Sequence, residues 1–176
     1  SNVQHAAEIW MLTNKNRKAP TAIEKHHVAV TAKYPVQLGV QAVMDECNFT
    51  VGKSGKNSIR CPSALDNIWR RGEQGVGGHE LLRSTVTLPR AVWPGNTTAL
   101  DSTMLTGVSL VLDNHEAIDE KRLRATMKKF TPEGLLGEVA TVKRIDGGSA
   151  AFNMARILVR NYNHRYNGKK LAVKAL

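Results

Sequence analysis

The 176-residue chain is poor in the residues that mark several large classes of protein. Two cysteines, Cys47 and Cys61, are too few for a disulfide framework, which favours a reduced, cytoplasmic setting. No run approaches the roughly 18 apolar residues of a membrane span. Aromatic residues make up only 5%, yet the hydrophobic fraction of 41% is close to the globular norm. The composition therefore predicts a folded globular chain that does not enter a membrane.

The amino terminus also lacks two common features. Ser1-Asn2-Val3 does not begin like a secretory signal peptide, because no basic stretch leads into an apolar one. The chain also has no initiator methionine. We therefore expect either a processed chain or a fragment of a longer protein.

Phosphate-binding and metal-binding patterns are missing as well. Gly52-Lys53-Ser54 matches the end of a Walker A motif, but the motif requires a glycine at the position of Cys47. His26, His27 and the two cysteines have neither CxxC nor HxxxH spacing, so a zinc site is not indicated. No nucleophile is accompanied by a base and an acid in a recognisable pattern. The sequence predicts a protein that is not an enzyme and that has no cofactor or metal.

The spacing of apolar residues predicts an all-α fold, a compact bundle of about nine short helices. Thr21, Asp119 and Thr131 are suited to cap the second, seventh and eighth helices. Pro89 is expected to kink the fifth helix or end it early. Residues 49–60 carry two β-prone runs around a glycine-containing loop, which predicts a small β-hairpin. We expect one helical domain over residues 1–166 and a basic, frayed tail over 167–176.

The positive charge is concentrated in the last third of the chain. The formal net charge is +10, and residues 121–176 hold thirteen Lys and Arg residues against three acidic ones, which accounts for the whole surplus. Such a surplus attracts polyanions, because neutralising phosphates releases their counterions. The alternative is a solvated basic face, or a loose basic tail, with no ligand.

The last predicted helix, 149–166, places its polar side chains together. Five of its apolar residues, Phe152, Ala155, Val159, Tyr162 and Tyr166, fall within an arc about 80° wide, and six polar ones share an arc of about 100° beside it. These polar residues are Asn153, Arg156, Arg160, Asn163, His164 and Asn167. Arginine suits phosphates and asparagine can read base edges, so the arc predicts a nucleic-acid contact. Alternatively, it is only the solvated side of an amphipathic helix.

Two other groups of cations are candidates for the same contact. Lys121, Arg124 and Lys128 follow one face of the seventh helix, and Lys53 and Lys56 lie near the tip of the predicted hairpin. A basic hairpin tip can rest on a nucleic-acid backbone, but an inert surface turn has the same sequence. We expect the surplus cations of residues 121–176 to form one continuous surface.

Five segments resemble a known family. An apolar helix followed by Asn14-Lys15-Asn16-Arg17-Lys18 is similar to the stretch after the ParB/sulfiredoxin-like domain in actinobacterial and phage ParB-like proteins. Residues 48–52, 68–72, 80–83 and 131–136 are similar in kind. The resemblance implies a helical, DNA-binding region from a bacterial or phage protein, located in the bacterial or host cytoplasm.

The resemblance does not extend to the family's chemistry. An Asp-Gly-x-His-Arg type motif, which handles nucleotide or phosphate in the family, is absent, and Val3-Gln4-His5 does not replace it. No CTPase or nuclease activity can therefore be assigned to residues here. The sequence predicts a non-catalytic module that binds nucleic acid, most simply double-stranded DNA. The alternative is a protein-interaction module that engages an acidic host protein or forms a homodimer.

Overall fold

The computed structural model describes residues 2–13, 19–75, 77–114 and 118–172. Over these ranges the chain forms nine α-helices and one very small sheet, which confirms the predicted all-α fold. The helices are α1 (Asn2–Thr13), α2 (Ala22–Thr31), α3 (Pro35–Glu46), α4 (Pro62–Glu73), α5 (Gly78–Val92), α6 (Ser102–Asp113), α7 (Glu120–Met127), α8 (Pro132–Asp146) and α9 (Ala150–Asn163). In these ranges no helix combines the length and the apolar character that a bilayer crossing requires.

The predicted helix caps are present. The Thr21 side chain accepts a hydrogen bond from the backbone N–H of Glu24, and the Glu24 carboxylate accepts one from the Thr21 N–H, which completes a capping box. Asp119 and Thr131 cap α7 and α8 in the same position. These short-range bonds explain why the helix starts could be predicted from the sequence.

Pro89 does not end α5. The helix continues through it to Val92, so of the two predicted alternatives, a kink or an early end, the early end is wrong. A proline removes one intrahelical hydrogen bond. Leu88 and Val92, on either side of it, are both buried in the hydrophobic core, and their burial offsets that loss.

The predicted β-hairpin is also wrong. Strands β1 (Thr50–Val51) and β2 (Ser58–Ile59) lie where they were expected, but they pair in parallel, with Thr50 opposite Ser58. Gly55 has a φ of +114°, and its carbonyl accepts a hydrogen bond from the Ser58 N–H. This turn brings the chain back to the start of β1 instead of returning it along β1.

The chain divides into two compact units, residues 1–82 and residues 83–176. The segment 14–18, which carries part of the family resemblance, lies outside the described residues. In the first unit, α2 packs against α1, α3 and α4.

Gly39 lies at the contact of α3 with α4, because a Cβ there would be 2.4 Å from the Trp69 ring. The close approach of the tryptophan explains a glycine in the middle of a helix.

His26 of α2 is buried in the first unit. Its burial leads us to expect that the free energy of unfolding depends on pH. Burial, above all, lowers the pKa of His26 from 6.5, while Gln41 and Asp66 act in the opposite direction and His27 in the same direction as burial. At the same pH, His26 therefore binds a proton more readily in the unfolded chain than in the folded chain. As pH falls through 6.5, the free energy of unfolding should decrease.

Urea unfolding at about pH 7.5 and about pH 5 measures this dependence. The His26→Gln variant cannot take up the proton in either state, so it should lose less stability than the wild type over the same interval. An equal loss in both proteins would show that His26 does not contribute.

In the second unit, α9 packs against α6, α7 and α8. Its buried face includes Met154, Leu158 and Tyr162. Beyond α9 the chain folds back, because the Asn163 side chain exchanges two hydrogen bonds with the backbone of Leu171, which is buried. The segment after Asn167 is exposed up to Lys170 and anchored at Leu171, and residues 173–176 lie outside the described part.

Candidate nucleic-acid interface

Arg156 and Arg160 are exposed and lie one turn apart on α9, as the helical arc predicted. Each has a carboxylate partner on α8. Arg156 Nη1 lies 3.7 Å from Asp146 Oδ2, and Arg160 Nη2 donates a hydrogen bond to Glu138 Oε1. The two arginines therefore brace α9 against α8 while they remain in contact with water.

A shallow groove runs between these arginines. Its volume is about 270 Å³, and Val142, Ile157 and Val159 contribute apolar surface to its walls. Arg156, Arg160 and Asp146 complete the lining. The lining thus combines two arginines and one carboxylate with apolar side chains.

Asn153 does not belong to this interface, although the sequence placed it there. Its side chain is only 1% exposed, and its Nδ2 donates a hydrogen bond of 2.8 Å to the carbonyl of Gly147. Gly147 and Gly148 both have positive φ, at +74° and +76°, and they turn the chain so that this carbonyl meets the amide. Asn153 thus holds the α8–α9 turn, and its predicted contact with nucleic acid is wrong.

His164 is exposed just beyond the last turn of α9. Its backbone carbonyl, rather than its ring, forms the contact in this region, because it accepts a hydrogen bond from Arg122 Nη2. Arg122 Nε donates a second bond to the Tyr162 carbonyl, and its guanidinium lies 4.1 Å from the centre of the Tyr166 ring. Arg122 therefore counts toward the charge surplus, but its guanidinium is bound to the carboxyl end of α9.

Lys121 and Arg124 on α7 and Lys128 at its C-cap are all exposed, and we call these three residues the basic face. They are spaced three and four residues apart, so they lie on one side of the helix and span about 10 Å. Arg124 Nη2 is 3.1 Å from Glu120 Oε2, and both side chains are about half exposed. The opposite side of α7 buries Leu123 and Met127 against the core.

The three acidic residues of the last third are all engaged. Glu138 and Asp146 pair with the arginines of α9. Glu133 sits in the first turn of α8, where its own backbone N–H lowers the pKa of its carboxyl first, followed by Thr98 and Asn96. The three carboxylates balance only three of the thirteen Lys and Arg residues of this segment, which leaves the surplus of ten.

Lys143 and Arg144, in the last turn of α8, are exposed cations that the sequence pattern included in the surplus but did not single out. Cations are common at the carboxyl end of a helix because they interact favourably with its dipole. Their position in the last turn of a predicted helix is the sequence feature that could have singled them out.

Lys53 and Lys56 are exposed in the loop between β1 and β2, but they belong to the first unit, whereas the other candidates belong to the second.

Comparison of the chain with known proteins identifies no homologue. No family model, curated protein or solved structure matches the chain. The resemblance to ParB-like proteins therefore stays a prediction.

Proposed function

We propose that the second unit binds nucleic acid, most simply duplex DNA, through its exposed cations. Residues 83–176 hold fifteen Lys and Arg residues against eight Asp and Glu residues, a surplus of seven. The basic face of α7 and the arginines of α9 are exposed on helices that the core holds in place. This combination of surplus charge with fixed, solvent-facing cations is the observation that carries the proposal.

The carboxylate partners of the arginines do not prevent such binding. Surface ion pairs contribute about 0–1 kcal/mol, since both side chains remain solvated. Arg156 and Asp146 are each 49% exposed, Arg160 is 66% exposed and Glu138 is 32% exposed. A phosphate can therefore replace a carboxylate at low cost, and the release of counterions from the nucleic acid favours the exchange.

The exposed cations of the second unit offer interactions that bind nucleic acid without reading its sequence. Lysine and arginine on α7, α8 and α9 can neutralise phosphates, and the amide of Asn153 is buried and unable to reach a base. Binding should therefore be similar for duplexes of unrelated sequence. A twenty-base-pair duplex, a single strand and an RNA hairpin of equal phosphate number would show which form is preferred.

The double variant Arg156→Ala/Arg160→Ala tests the interface. Removing one cation that binds a phosphate should weaken binding roughly fivefold to tenfold at about 0.1 M salt, so removing both should weaken duplex binding at least tenfold. Fluorescence anisotropy with two unrelated duplexes measures the change, which should be the same for both.

The matched control is Arg60→Ala/Arg70→Ala, which removes the same charge from exposed positions of the first unit. It should change affinity less than threefold. Equal losses in the two double variants would contradict the proposed interface. If the wild type bound no nucleic acid and sedimented as a dimer or with an acidic protein, the protein-interaction alternative would replace it.

A further inference from the structure

The first unit contains a cavity of about 680 Å³ that the proposed nucleic-acid function does not use. Residues of α1 to α4 line it, and its walls are largely apolar where Met11, Ala29 and Pro62 contribute. Cavities of roughly 300–1,000 Å³ with apolar walls and a few polar groups are typical binding sites for small molecules. Here the polar groups include His26 and Asp66.

Asp66 contributes a carboxylate oxygen with no donor. Gln37 Nε2 donates a hydrogen bond of 2.7 Å to Asp66 Oδ2. Asp66 Oδ1 is buried and has no hydrogen-bond partner among the described residues. An unpaired carboxylate oxygen away from water is unfavourable, so this atom favours any donor that can reach it.

His26 contributes a second acceptor, and its neighbours fix the position of its proton. Gln41 Nε2 donates to Asp45 Oδ1 at 2.7 Å, which leaves Gln41 Oε1 facing His26 Nε2 at 3.4 Å. A carbonyl oxygen accepts, so Nε2 carries the hydrogen and Nδ1 has the lone pair. His26 Nδ1, like the Asp66 oxygen, is buried without a partner in the described part of the chain.

The two side chains line the same cavity. Two acceptors in one cavity, one of them negatively charged, favour a donor with at least two hydrogens and a positive charge. Lys25 is the cation on the cavity wall, but it is exposed and forms no ion pair with Asp66 within the described ranges. The described residues therefore supply the acceptors and the apolar walls without the donor.

We propose that this cavity binds a small organic cation, whose primary ammonium group donates hydrogen bonds to Asp66 Oδ1 and His26 Nδ1 and whose apolar part packs against the walls. Both acceptor atoms are buried, so binding includes a rotation of the carboxylate and the imidazole toward the ligand. The ammonium supplies the missing hydrogens, and its charge is balanced by the carboxylate.

Benzylamine and benzyl alcohol form a matched pair of probes, because they share an aromatic body and differ in the charged head group. Titration of the full chain, followed by ¹H–¹⁵N NMR at about pH 7.5, should show saturable binding of benzylamine with a Kd below about 1 mM. The shifted resonances should belong to residues around the cavity. Benzyl alcohol should bind at least about tenfold more weakly, since it lacks the charge-assisted bonds. Equal affinity, or no saturable shift with benzylamine, would overturn the proposal.

Asp66→Asn retains the shape of the side chain and removes its charge, so it should weaken benzylamine binding at least about tenfold. Glu73→Gln removes a carboxylate from the same helix and keeps the oxygen that accepts from Trp69, so it should bind as the wild type does. Unchanged affinity in Asp66→Asn would contradict the assignment. If Asp66→Asn does not fold, the comparison of the two probes on the wild type still decides the question.

Discussion

Replacement of Gly107 by valine should lower the free energy of unfolding by about 3 kcal/mol. Gly107 is a buried residue of α6, and a Cβ at this position would lie 2.3 Å from Met154 Cγ and 2.5 Å from Met154 Cβ of α9. The Met154 Cβ is fixed to the backbone of its helix and cannot rotate away, and the Ala151 carbonyl oxygen is only 3.1 Å distant. Valine would therefore separate the two helices. Urea unfolding followed by helical circular dichroism measures the loss.

Gly137 of α8 is the matched control. It is exposed, and a Cβ there would have no described atom within 4 Å. Gly137→Ala should raise stability by about 0.5–1 kcal/mol, because alanine loses less backbone entropy in a helix. A small effect of Gly107→Val would show that α6 and α9 are not in the close contact described.

Replacement of Arg122 by alanine should lower the free energy of unfolding by about 2–4 kcal/mol. The side chain donates hydrogen bonds of 2.8 Å and 2.9 Å to the carbonyls of Tyr162 and His164, beyond the reach of helical partners. The same guanidinium lies over the rings of Tyr162 and Tyr166. Alanine would leave carbonyls at the end of α9 without this donor and remove the cation–π contacts.

Arg124→Ala is the appropriate comparison, since it removes the same charge from the same helix. Arg124 makes an exposed pair with Glu120 one turn away, which is worth about 0.3–0.5 kcal/mol. Thermal unfolding of both variants separates a structural arginine from a surface arginine. Equal destabilisation would contradict the role assigned to Arg122.

The helices and their caps could be predicted because their causes are local. Thr21 with Glu24, and Thr131 before Pro132, specify a helix start within four residues of sequence. The exposed positions of Arg156 and Arg160 followed from the period of α9 in the same way. The exposure of Lys121 and Arg124 on α7, and of Lys128 at its C-cap, also followed from helical spacing.

The errors arose where distant residues decide the outcome. Asn153 has the angular position of a surface residue, but the α8–α9 turn places a carbonyl against it. Arg122 is one surplus cation in the sequence, although residues forty positions later engage it. The direction of β2 depends on a turn at Gly55, which composition alone does not determine. Net charge gives the number of surplus cations, and a helical arc gives the direction of a side chain around its helix. Neither identifies the residues that pack against that side chain.

The salt dependence of duplex binding tests the central claim most directly. If about six phosphates are neutralised by the cations of the second unit, log Kobs for the wild type should fall against log salt concentration with a slope of about −5 between about 50 and 200 mM. A slope shallower than about −1, or no binding at the lowest salt concentration, would contradict a phosphate-binding surface on α7, α8 and α9.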